Sequence, residues 1–195
     1  MVYFAARYAG QMFGSSMASH SSNTGSSSTQ QSQSSGKSSG SSSSTVPSIA
    51  PIVDLLTKHD VVSKDLGNGV TNYLAVYYGN DTKLMSKILA MYRLDTSLGY
   101  ERADVDNADF RSSFPSFAQF SYYEEDGYVL CVVRMDELTE KRHMKEMVDT
   151  DMISLEQGTS VENSEGFQAD YFLQSCYDSG YATVPLIDYG GLHLD

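Results

Sequence analysis

The sequence predicts an α+β domain, with a small antiparallel or mixed sheet and about four helices, behind a disordered serine-rich tether. Three observations carry this. Seventeen of the 31 residues in Ser15–Thr45 are serine, which leaves too little apolar surface to repay chain entropy. Two turn dipeptides, Asn68-Gly69 and Asp126-Gly127, each sit between apolar runs, as in tight hairpins. Strand-like and helix-like segments then alternate without a regular βαβ rhythm, which favours α+β over a parallel sheet.

The chain divides at 1–14, 15–45 and 46–195. In the first segment Phe4, Tyr8 and Met12 recur at i, i+4 and i+8, Phe13 adds aromatic area, and Gly14 is a natural stop. As a helix this would carry an aromatic stripe, but alone it is too short to persist in water. Three readings stand: a linear anchor that orders on a partner, a frayed start, or a cleaved organellar presequence. The anchor is the one carried forward. Ser15–Thr45 would be its flexible tether, spanning about 30 Å as a coil.

From Val46 the segment Ile49–Leu56 has a helix-like pattern, with Pro51 tolerable in its first turn. Val61–Leu66 and Val70–Tyr78 would pair around Asn68-Gly69, with a helix over Asn72–Tyr78 as the rival. Asp81–Leu94 reads as the best helix, with Leu84, Met85, Ile88, Leu89 and Tyr92 on one stripe and Lys83 and Lys87 on another face. Asp95–Phe114 is irregular and carries Asp104, Asp106 and Asp109. Ser116–Tyr123 and Gly127–Arg134 form a second hairpin, and the apolar run Tyr128–Val133 predicts an interior strand. Met135–Val148 reads as a helix capped by Asp136, with Glu137 and Lys141 paired at i, i+4. A loop over Gly158–Gly166, a helix over Phe167–Tyr177 and an edge strand over Tyr181–Ile187 complete the domain.

The 195 residues carry a formal net charge of −12, and every acid lies after Thr45. A duplex-binding surface needs clustered Lys and Arg, so direct nucleic-acid binding is not expected. Apolar runs of about six residues fall far short of the roughly 20 a membrane helix needs, so no membrane partner is expected. The start lacks a basic region followed by an apolar core, so classical secretion is not expected and the location is read as cytoplasmic or otherwise intracellular.

No catalytic, cofactor or metal site is assigned. The aspartates after Ala103 fail the EF-hand pattern, because its fifth, sixth and twelfth positions would be Ala108, Asp109 and Pro115. The four histidines His20, His59, His143 and His193 show no zinc spacing, and neither a nucleophile elbow nor a phosphate loop occurs. A Cys–His pair from Cys131 or Cys176 with His143 or His193 has no sequence support beyond coincidence. Cys131, inside an apolar run, reads as a buried thiol.

Tyrosine is in excess: 14 Tyr and 8 Phe, with no Trp. Tyr77-Tyr78, Tyr122-Tyr123, Tyr177, Tyr181 and Tyr189 stand among acids and suggest an acidic, aromatic recognition surface. Tyr73 and Tyr128 read as core instead. Strand alternation would turn one of Tyr122 and Tyr123 outward. The expected partner-binding residues are therefore Phe4, Tyr8, Met12, Phe13, Tyr122 and Tyr123.

The favoured function is non-enzymatic: an interaction or structural accessory protein whose residues 1–14 join a larger assembly while the domain binds a partner. Viral and phage accessory proteins share this layout, an analogy of layout alone. The alternatives are an acidic inhibitor covering a basic, nucleic-acid-binding site on a target, and a small enzyme with an unrecognised site.

Overall fold

The computed structural model describes residues 57–155 and 158–185. The anchor residues Phe4, Tyr8, Met12 and Phe13, the serine tract, the Ile49–Leu56 segment, Tyr189 and His193 lie outside them.

Two tight turns set the sheet. β1 (Thr57–Gly67) and β2 (Val70–Gly79) pair antiparallel about Asn68 (φ 53°) and Gly69 (φ 77°). β4 (Gln119–Glu125) and β5 (Tyr128–Met135) pair about Asp126 (φ 47°) and Gly127 (φ 83°). Positive φ at both central residues is the type I′ geometry that the two dipeptides predict. A Cβ built on Gly69 would stand 2.5 Å from Leu98 Cδ1 and 3.1 Å from Asp95 Cβ. Gly69→Ala should therefore cost about 1–2 kcal/mol, read as a lower urea midpoint with an unchanged slope.

The segment read as the best helix is a strand. β3 (Met85–Asp95) lies between β2 and β5 and pairs with both. Ile88, Leu89, Ala90, Met91 and Tyr92 are consecutive and all buried, so both sheet faces are apolar there. A strand buried on two sides satisfies a helical template by accident, because apolar residues fill every position. The helical rival for Asn72–Tyr78 fails likewise, since β2 covers it. Lys83 and Lys87 do not share a face. Their ammonium groups sit over Tyr78 and Tyr77, consecutive strand residues that point to opposite sides.

With β6 (Ala182–Thr183) the sheet has six strands, all antiparallel, in the order β4-β5-β3-β2-β1-β6. The described part of the last predicted strand shrinks to those two residues. β5 is interior, as its apolar run predicts.

Among the described residues there are three α-helices, not four: α1 (Ala108–Ser112), α2 (Lys141–Asp149) and α3 (Ala169–Asp178). α2 starts later than predicted. β5 runs on to Met135, and Glu137 takes φ 56°, so Glu140 occupies the N-cap position instead of Asp136 and the Glu137–Lys141 helical pair does not form. No helix of the described residues is long and apolar enough to cross a membrane.

All three helices pack on one face of the sheet. Phe110 and Phe114 meet Tyr92 edge-on, at 5.3 and 6.2 Å between ring centres. Met144 and Met147 of α2 and Phe172 and Cys176 of α3 join the same core as Leu74, Ile88 and Val133. Asn72 is the polar exception, fully buried among them. Its Nδ2 donates to the Met91 carbonyl (3.2 Å), and its Oδ1 accepts from the Tyr181 hydroxyl (2.7 Å).

The opposite face holds a second cluster: Val61, Ala75, Tyr77, Leu89, Met91, Leu130, Val132 and Val184. Tyr73, Tyr123 and Tyr128 lie half-buried around it, which places Tyr73 and Tyr128 at its margin and not in a core centre.

Candidate functional site

A cleft of about 210 Å³ opens where the loop before α3 crosses the start of β3. The chain is stitched there by Met85 N–H to the Phe167 carbonyl (2.8 Å) and Ala169 N–H to the Lys83 carbonyl (2.9 Å). These bonds run Phe167–Ala169 alongside the entry to β3. Gly166 lets that crossing close, since a Cβ on it would approach Leu84 Cδ2 to 3.2 Å. The Lys141 ammonium donates to the carbonyls of Val161 (2.9 Å) and Ser164, so α2 pins the loop from the other side.

The cleft is lined by the apolar groups of Leu84, Ile153, Phe167 and Phe172, with Glu165 and Tyr171 among the polar ones. This arrangement suits an apolar side chain inserted between polar contacts. Tyr171 is 40% exposed and so is Tyr177, about one and two-thirds turns along α3; with Leu98 they are the exposed large hydrophobic residues described. Asp170 and Asp178 are exposed on the same helix. The Tyr177 hydroxyl bonds Thr183 Oγ1 at 3.2 Å, whereas the Tyr171 ring stands at the cleft.

The predicted site residues Tyr122 and Tyr123 are not brought to this place. They point to opposite faces of β4, and each is half-buried against the cluster on its own side. The Tyr122 hydroxyl donates to the Val105 carbonyl (3.3 Å), the Arg102 and Arg111 guanidinium groups lie 4.7 and 5.6 Å from its ring centre, and burial pushes its phenol up to about 12. Tyr77, Tyr78 and Tyr181, expected on an acidic surface, are buried. Several tyrosines face cations: Lys87 stands 3.9 Å over Tyr77, and Arg93 lies 4.6 Å from Tyr128 and 5.6 Å from Tyr73. Of the tyrosines singled out from sequence, Tyr177 alone is exposed among those described. Tyr171 and the cleft had no linear signal, since the loop and β3 meet only in the fold.

The aspartates of the irregular segment are committed to local structure. Asp106 accepts from Arg102 (2.9 Å) and Arg111 (2.7 Å), which hold its carboxyl below the usual range, and Asp104 accepts from the Glu101 N–H (2.8 Å). A ring nitrogen of His143 and a carboxylate oxygen from each of Glu137 and Glu140 lie within 4.8 Å of one another, a three-ligand set for a divalent cation. His143 Nδ1 donates to the Glu137 carbonyl (3.1 Å), and Nε2 is buried with no hydrogen-bond partner among the described residues. Charge opposes a cation there. Arg142 already bridges Glu140 at 3.4 Å, Lys141 is adjacent, and the positive end of α2 adds to both.

Cys131 and Cys176 are free, buried thiols, each pushed up to about 12 by burial. Nucleophilic attack needs the thiolate, which so raised a pKa suppresses at pH 8. In native protein both should resist a disulfide reagent at pH 8, and both should react within the dead time once guanidinium unfolds the chain.

No family model matches the chain, and no curated protein matches it in sequence. Two solved structures are similar. The NMR structure of the Escherichia coli YehR protein is 16% identical, covers 66% of this chain and 91% of its own, and superposes with a TM-score of 0.47. The NMR structure of a protein from Streptococcus pneumoniae TIGR4 is 6% identical, covers 84% of this chain and 99% of its own, with a TM-score of 0.40. Likenesses this distant carry no argument about what the chain does.

Proposed function

We propose that the chain is a non-enzymatic interaction protein whose α+β domain holds a partner at the cleft beside Tyr171. In this reading residues 1–14 supply a second contact to the same assembly, and Ser15–Thr45 links the two. One observation carries it: an exposed tyrosine ring at the mouth of a cleft lined by both apolar and polar groups. Tyrosine gives a large, rigid contact at low entropic cost, and such rings beside a pocket are where binding energy concentrates. The exposed acids Glu165 and Asp170 favour a partner segment whose inserted apolar side chain is flanked by Lys or Arg.

The test places a photo-crosslinking p-benzoylphenylalanine at Tyr171 in the full chain and identifies the captured segment. Affinity for that segment is then measured with Tyr171→Ala and with Phe4→Ser/Tyr8→Ser. Tyr171→Ala should weaken domain binding by about thirty-fold, the scale of a hot-spot residue, at unchanged stability. The double substitution should leave domain binding intact and abolish association with the assembly. Affinity unchanged by Tyr171→Ala would overturn the cleft as the site. A loss of affinity that tracks salt steeply would point instead to the acidic-inhibitor reading.

A further inference from the structure

The sheet face opposite the helices poses a problem of cover. Met91 and Ala75 have no exposed surface, and Val61, Leu89, Leu130 and Val132 are nearly closed. A sheet face open to water does not hide large apolar side chains so completely. Yet all three helices described lie on the other side, with every buried helical side chain of the main cluster packed there. Among the described residues, the only buried member of the second cluster from outside β1–β5 is Val184.

Val184 shows where a cover enters. Its N–H donates to the Val61 carbonyl (2.9 Å), just after the two-residue pairing of β6 with β1. Its side chain belongs to the second face, so the chain has already crossed from α3 onto that side when it reaches Pro185. Residues 186–195 follow: Leu186, Ile187, Tyr189, Leu192 and Leu194 are apolar, and Asp188 and Asp195 are acids. Ten extended residues reach about 33 Å, whereas four strand spacings from β1 to β4 span about 19 Å.

Charge on this face is mixed: strand alternation places Asp65, Asp95 and Glu125 on it, toward the hairpin ends, together with three cations. Lys87, Arg93 and Arg134 lie on it through strand alternation, each half-buried. Burial lowers the Lys87 ammonium below its ordinary range, so the face is shielded at its margin too. The stretch 46–56 is also apolar but has one acid, Asp54, and it leads into β1.

We infer that residues 186–195 of this chain are the cover of the second sheet face, their apolar side chains on Met91, Leu89 and Val132 and their carboxylates toward Lys87 and Arg93. The face is then an intramolecular seat for an acidic, leucine-rich segment. It is independent of the cleft at Tyr171, which lies by the helices, so either can fail without the other.

The test lets the face report its occupant. In the full chain, p-benzoylphenylalanine replaces Tyr73 in one variant and Tyr128 in another, both at the margin of the cluster. The expected product is a monomeric adduct joining the probe to a residue in 186–195. Adding Ile187→Asp/Leu192→Asp should remove that adduct and raise the fluorescence of an apolar dye. Adducts to 46–56, a covalent dimer, or no adduct from either probe in folded protein would each overturn the assignment, as would adduct yield indifferent to the two aspartates.

Discussion

Val132→Asp should cost the domain about 3–5 kcal/mol, the scale of an uncompensated buried charge and a large share of a typical total stability. Val132 is 3% exposed on β5, opposite Met91 on β3 and Ser121 on β4. A carboxylate there would face apolar Met91 across the ladder, and the cation two residues along its own strand, Arg134, is paired with Asp136. The group would enter protonated or unfold the strand, and either route forfeits the burial of its neighbours. Urea denaturation followed by circular dichroism measures the loss. If the variant is insoluble, Val132→Thr keeps the shape while adding a hydroxyl, and should lose about 1–3 kcal/mol. Stability unchanged in both would mean that β5 is peripheral.

The second large effect is expected at Asn72. Its amide spans the sheet interior and the segment after α3, joining the Met91 carbonyl to a tyrosine 109 residues away in sequence. Asn72→Ala would leave the Tyr181 hydroxyl buried without its acceptor, at a cost of about 2–4 kcal/mol once the lost packing is included. Tyr181→Phe orphans Asn72 Oδ1 alone and should cost about 1–3 kcal/mol. Asn72→Leu combined with Tyr181→Phe removes both polar groups together, so it should cost less than the sum of the single changes. A strictly additive double-mutant cycle would show that the bond contributes nothing to the docking of the segment after α3.

What could be read from the linear sequence follows from where structure is decided locally. The hairpin turns are local, because an Asn-Gly or Asp-Gly pair favours positive φ whatever lies around it, and both were legible. α3 was legible within two residues at its start and one at its end, since one apolar side of Phe172, Leu173 and Cys176 faces the sheet. β3 was not, because burial on two faces erases the period that separates strand from helix. The start of α2 was not, because Asp136 engages Arg134 at the end of β5 instead of capping a helix. Tyr122 and Tyr123 were placed by alternation on opposite sides, correctly, but alternation does not say whether a face is wet. The Tyr171 cleft depends on Phe167–Ala169 meeting Lys83 and Met85, a tertiary event with no signature along the chain.

The order of the strands carries a consequence for how the molecule assembles. β1, β2 and β3 are consecutive neighbours, and β4 and β5 are a self-contained hairpin, so three of the five interstrand pairings are local and need only the contact of β3 with β5 to become one sheet, apart from β6. Closing the 32 residues between Asp95 and Tyr128, which pair directly, is the entropic toll of that contact. Local pairings form early, in microseconds for an isolated hairpin, and long-range ones follow. The folding nucleus is therefore expected at the β3–β5 seam, with β6 among the last elements to add: substitutions along the seam should slow refolding, and those around Val184 should chiefly hasten unfolding.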